Sequence, residues 1–115
     1  MRIIVCGGRD YGNRTAISRV LLALDHRVVT IVHGDCPTGA DAIADELAGD
    51  YGWGPFDIVP FPADWKTHGK AAGPIRNQQM LDAGADLVIA FGGGRGTADM
   101  VERARKAGIV VLEVG

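Results

Sequence analysis

The chain has 115 residues, 47% of them hydrophobic and 23% charged, a balance that fits one core in a single domain over residues 1–115 and excludes a disordered or fibrous chain. No apolar run approaches the roughly 20 residues that span a bilayer. A net charge of −2 argues against partners recognised through a broad basic surface, nucleic acid above all. With no apolar leader ahead of the first strand, a cytoplasmic setting is expected. Cys6 and Cys36 are too few and too far apart for a disulfide framework or a zinc ribbon.

The first apolar run, Ile3 to Cys6, reads as a strand that enters Gly7-Gly8-Arg9-Asp10-Tyr11-Gly12, and an amphipathic segment from Thr15 to Leu24 follows as a helix. A second strand, Val28 to Val32, leads through His33-Gly34-Asp35 to Thr38. The spacing from Thr38 to Asp41 fits a helix N-cap answered from the third helical position, with the helix running to about Gly49. Phe56 to Phe61 forms the third strand. The irregular stretch after it, Pro60 to Gly73, is long for a connection in a compact α/β domain, which marks it as a place for function. Pro74 suits the first position of the next helix, so Arg76 and Asn77 fall in its first turn. Leu87 to Phe91 is a fourth strand that feeds directly into Gly92-Gly93-Gly94-Arg95-Gly96-Thr97. With Thr97 as N-cap, a helix spans Ala98 to Lys106, and Ile109 to Val114 closes the order as a fifth strand.

This strand–helix alternation, with strands apolar throughout rather than at every second residue, describes a parallel sheet covered on both faces. Right-handed crossovers give a doubly wound, Rossmann-like sheet in three layers, with expected order 3-2-1-4-5. Strands one and four then lie side by side at the topological switch point. Their glycine loops face each other across one crevice at the carboxyl ends of the strands.

Glycines let a backbone approach a ligand closely, and a helix N-terminus favours an anion. Gly7, Gly8, Gly92, Gly93, Gly94, Gly96 and Thr97 are therefore candidate phosphate-holding residues, with Gly34, Gly39 and Asp41 as a third wall. Arg9, Arg76 and Arg95 each stand where a helix begins and oppose its dipole, an arrangement that makes sense if an anion binds among them. Otherwise Asp10, Asp35, Asp64 and Asp99 supply salt bridges. On the dipole reading, removal of Arg76 leaves the ligand-free fold no less stable. Asp99 compensates the dipole of the last helix or contacts a ribose, Asn77 contacts sugar or orders the loops, and Trp65 stacks on a base or covers an apolar edge. His33, His68 and Lys70 are solvated or loop residues, or reach the ligand. Cys6 serves as a small apolar residue and Cys36 as a plain loop residue. The three histidines lack metal-ligand spacing and no carboxylate cluster appears, so neither metal nor cofactor is expected.

Val5-Cys6-Gly7-Gly8-Arg9-Asp10-Tyr11, the run His33 to Asp41, Pro62-Ala63-Asp64-Trp65 with Ala72 to Met80, and Ala90 to Met100 together resemble the YspA-type branch of the SLOG superfamily across nearly the whole chain. The resemblance implies a Rossmann-like domain that binds or senses a nucleotide or a nucleotide-derived phosphorylated ligand such as an ADP-ribose-like molecule, and it allows for a homodimer packed through helices. The related LOG-type phosphoribohydrolases split nucleoside monophosphates with an arginine before the glycine loop and a glutamate in Gly-Gly-x-Gly-Thr-x-x-Glu. The arginine corresponds to Arg76, whereas the glutamate position holds Met100. A thioether cannot supply the acid chemistry, so the implied hydrolase alternative depends on Arg76 and the adjacent Asp99 as catalytic candidates.

Overall fold

The structure, a computed structural model, describes residues 1–24, 29–50 and 56–114; the expected strand residue Val28 lies outside them. The strands are β1 (Arg2–Gly7), β2 (Val29–His33), β3 (Phe56–Pro60), β4 (Leu87–Phe91) and β5 (Val110–Val114). The helices are α1 (Arg14–Ala23), α2 (Gly39–Asp50), the short α3 (Trp65–His68), α4 (Ala72–Asp82) and α5 (Arg95–Lys106), with a 3₁₀ turn at Gly69–Ala71. All strand pairs are parallel and the order is β3-β2-β1-β4-β5. The Rossmann-like doubly wound sheet expected from the alternation is the sheet observed.

Successive strand residues point to opposite faces, which explains why the strands carry no polar alternation. Ile3, Val5, Ile31, Ile89 and Phe91 pack against Ile17 and Leu21 of α1 and Ala40, Ala44 and Leu47 of α2. Ile4, Cys6, Val32, Val88 and Ala90 face Met80 and Leu81 of α4 and Met100, Val101 and Ala104 of α5. Both faces of β1 are thus buried, and β1 holds the centre of the sheet. Strand β5 departs from the expectation of two covered faces. It is an edge strand with Val110 and Leu112 exposed.

Helix starts differ from the sequence reading where glycine or backbone geometry, rather than a capping side chain, sets them. Helix α1 begins at Arg14 because the Asn13 side chain accepts from Ala16 N–H at 3.1 Å. Helix α4 begins at Ala72, which makes Pro74 its third residue; the amide that proline lacks has no intrahelical partner anywhere in the first turn. Helix α5 starts at Arg95 directly after Gly94, so Thr97 is not its N-cap but its third residue. The long connection after β3 is ordered by α3, whose N-cap Asp64 accepts from Thr67 N–H at 3.1 Å.

Gly39 opens α2 with φ +78° and packs onto the loop that follows β1, where Ala40 N–H donates to Gly8 O at 3.3 Å. A Cβ at Gly39 would meet Gly8 O and lie 2.7 Å from Arg9 Cα, backbone that has nowhere to go. Gly39→Ala is therefore expected to cost about 1–3 kcal/mol through overpacking and a left-handed alanine. Urea unfolding should show a lower midpoint with an unchanged slope; an unchanged midpoint would contradict the packing described.

Candidate functional site

Strand β1 sends its chain to one face of the sheet and β4 sends its chain to the other, so the carboxyl ends of the pair open into a cleft of about 840 Å³. Gly7, Gly8, Arg9, Asp10, Gly34, Asp41, Arg76, Asn77, Gly92, Gly93, Gly94, Gly96 and Thr97 all line it, together with Asp99, Trp65, Lys70 and Arg95. Of the expected ligand-contacting residues, Gly39 alone lies elsewhere, behind the Gly8–Arg9 backbone.

The glycines divide into two sets. Gly8 N–H donates to Gly92 O at 3.0 Å, and a Cβ at Gly93 would stand 2.6 Å from Gly8 N, so these residues are small because the two loops touch each other. Gly94 and Gly96 have open space where a side chain would be, and no packing demand accounts for them. They open α5, whose first turn receives no side-chain cap, leaving its N–H groups and positive dipole end to the cleft. The Thr97 hydroxyl lies against Gly93.

Arg76 is the fifth residue of α4, two residues deeper than the sequence reading places it and past the first turn, where its conflict with the dipole is weakened. Its guanidinium lines the cleft and pairs with no carboxylate among the described residues. One nitrogen donates to Gly34 O and, at 3.5 Å, to Phe61 O, while Nε donates to Asn77 Oδ1 at 3.1 Å. A Cβ at Gly34 would collide with that guanidinium, so Gly34 is a seat for Arg76. The buried Asn77 amide donates to Gly96 O at 3.1 Å and to Asp99 at 3.0 Å, tying α4 to the start of α5. Asp99 is further held by Arg103 Nε at 2.9 and 3.0 Å. The Asp99–Arg103 spacing of four on one helix was the available sequence signal for this pair.

On the β2 side, Asp41 does not close a capping box on its own helix. Its Oδ2 accepts from Gly34 N–H at 3.0 Å and more distantly from Cys36 N–H, holding the turn that carries Gly34. Burial pushes its carboxyl above the ordinary range, against the opposing pull of His33 and Arg76. His33 is buried rather than cleft-lining: Nδ1 accepts from Asp35 N–H at 3.0 Å, which leaves the ring proton on Nε2 to donate to Asp45 at 2.6 Å. Burial, reinforced by the Asp41 charge, pushes the Cys6 thiol up to about 12 and raises that of Cys36, so neither is a thiolate nucleophile near neutrality. Among the described residues Asp10, Asp35 and Asp64 make no salt bridge to Arg9, Arg76 or Arg95. Arg9 instead lies over the Trp65 ring, 5.8 Å from its centroid. No group of three or more metal-ligating side chains occurs among the described residues, and no helix there is long and apolar enough to cross a membrane.

A doubly wound parallel sheet with glycine loops meeting at its switch point defines a Rossmann-like α/β protein. Residues 1–68 match the family described as the YspA, cpYpsA-related SLOG family, YAcAr, and the chain belongs to that family. It is 40% identical over 121 residues to the Gene 61 protein of Mycobacterium phage D29, covering 99% of this chain and 96% of the phage protein. Among solved structures, the C-terminal domain of a Pyrococcus furiosus hydrogenase superposes with a TM-score of 0.56 at 17% identity, covering 98% of this chain and 90% of that one, a likeness of fold.

Two outcomes follow from these contacts. Arg76→Ala should destabilise the ligand-free protein by about 1–3 kcal/mol in denaturant titration, because Gly34 O and Phe61 O lose a charged donor; an equal or higher stability would restore the dipole-conflict reading. For Asp41, a folded-state value above the ordinary 3.8 means that the native protein holds this proton more tightly, so its contribution to stability falls as pH rises through that interval. Asn at this position keeps an acceptor for Gly34 N–H and carries no charge to desolvate. The stability of Asp41→Asn relative to wild type should therefore rise from about pH 4 to about pH 7, and a flat or falling difference would contradict the assignment.

Proposed function

We propose that the cleft binds the phosphate of a nucleotide or nucleotide-derived molecule, an ADP-ribose-like ligand included, and that it binds without hydrolysing. The observation that carries this reading is the uncapped start of α5, with Gly94 and Gly96 open in front of it and Arg76 held on the opposite wall. Free amides at a helix N-terminus, glycine-lined access and a guanidinium form a receptor for a phosphoryl group. Arg9, Lys70 and Arg95 add positive charge on the rim. The volume falls within the range of small-molecule sites, about 300–1,000 Å³.

The chemistry of hydrolysis lacks its acid. Met100, at the position where the resembling LOG-type enzymes carry glutamate, is fully buried in the core beneath α5. Asp99 does reach the cleft, but its carboxylate is engaged by Arg103 and Asn77. Asp99 holds the start of α5 in place on this reading and is not free to protonate a leaving base.

Thermal melts test the proposal. A phosphorylated nucleoside or ADP-ribose present at about a hundred times its Kd should stabilise the protein by about 2.7 kcal/mol, whereas adenosine should act far less than AMP. Gly96→Ala, which improves helix propensity, should leave the ligand-free melt unchanged or higher and abolish most of the ligand shift. Equal shifts from adenosine and AMP, or none across a nucleotide panel, would refute the phosphate-centred reading. Free base released from nucleoside monophosphates and lost in Asp99→Asn would refute binding without hydrolysis.

A further inference from the structure

Trp65 stands on the cleft wall with 49% of its surface exposed, the most polarisable side chain at the mouth. One edge of the indole rests against Gly73, where a Cβ would sit 3.5 Å away, while the Arg9 guanidinium covers the ring at 5.8 Å. The two residues come from opposite walls, Arg9 from the loop after β1 and Trp65 from the start of α3. Their contact therefore bridges the entrance. Among the described residues no ion pair holds Arg9 to a carboxylate, and its guanidinium packs on the indole instead.

We propose that Trp65 is the platform on which the ligand's nucleobase stacks, with Arg9 a displaceable cover that turns toward the phosphate when the base arrives. This rests on the nucleotide reading of the cleft and adds a base subsite to it. The magnitudes favour exchange. An exposed cation–π pair is worth about a two- to fivefold preference, whereas a base stacked on an aromatic side chain contributes about five- to a hundredfold in affinity. The phosphate offers Arg9 a charge-assisted partner in place of the ring it leaves. Base recognition through a π-face needs no hydrogen bond from the protein, and the subsite accepts purines more tightly than pyrimidines because their stacked area is larger.

The test uses Trp53→Phe protein, so that Trp65 is the remaining tryptophan and is excited selectively over the tyrosines, titrated with AMP, GMP, CMP and UMP against base-free ribose 5-phosphate. Nucleotides should quench Trp65 and ribose 5-phosphate should not. Trp65→Leu, which keeps apolar cover without a π-face, should weaken the best nucleotide about five- to a hundredfold and leave ribose 5-phosphate unchanged, with Trp65→Phe recovering part of the loss. Nucleotide affinity unchanged in Trp65→Leu, or equal losses for nucleotide and ribose 5-phosphate, would overturn the base platform and leave the phosphate reading intact. Failure of all five compounds to bind the parent protein would overturn both.

Discussion

The hydrogen bond from Gly8 N–H to Gly92 O joins two loops that leave neighbouring parallel strands for opposite faces of the sheet, and the geometry of the cleft depends on it. Parallel strands β1 and β4 are paired from Ile3–Leu87 to Gly7–Phe91, so their ends reach the same level and the loops meet edge to edge. Side chains at Gly7, Gly8 or Gly93 would drive them apart. Much of the glycine in these loops is accordingly spent on the protein's own packing. What is left over for a ligand is narrower: Gly94, Gly96 and the bare first turn of α5.

Around that junction a second constraint operates through buried polar groups. Asp41 is taken out of water and its carboxyl is raised by that burial, yet it holds the Gly34 turn from below. Gly34 O in turn receives Arg76, and Arg76 passes to Asn77, which binds both Gly96 O and Asp99. A chain of hydrogen bonds thus runs from the β2 wall of the cleft to the start of α5. Such a chain fixes the position of the Arg76 guanidinium relative to the N-terminus of α5. Desolvating Asp41 is a stability cost that the fold carries in order to keep the site's walls in register.

Sheet order, layers and the facing of the two loops were readable in the sequence because they follow from strong signals: continuous apolar runs, short glycine turns and the handedness of crossovers. The residues lining the cleft followed from that topology, Gly39 excepted, whose positive φ and packing on Arg9 are invisible without coordinates. Helix starts differ by two residues at α4, where Pro74 stands third rather than first, and by three at α5, where Thr97 stands third and the expected cap is not used. The partners of Arg76 were missed for a different reason. They are backbone carbonyls 42 and 15 residues away, and no residue type announces a carbonyl. The same holds for Arg9 over Trp65, a contact between the loop after β1 and the start of α3.

The proposed phosphate site at the first turn of α5, between the glycine loops, can be probed amide by amide. Backbone amide chemical shifts of the isotope-labelled protein, followed by NMR during titration with ribose 5-phosphate and with AMP, report on each N–H group directly. The largest perturbations should fall at the amides of Gly94, Arg95, Gly96 and Thr97, with a matching change at the Arg76 Nε–H. Perturbations absent from the first turn of α5 would contradict that site.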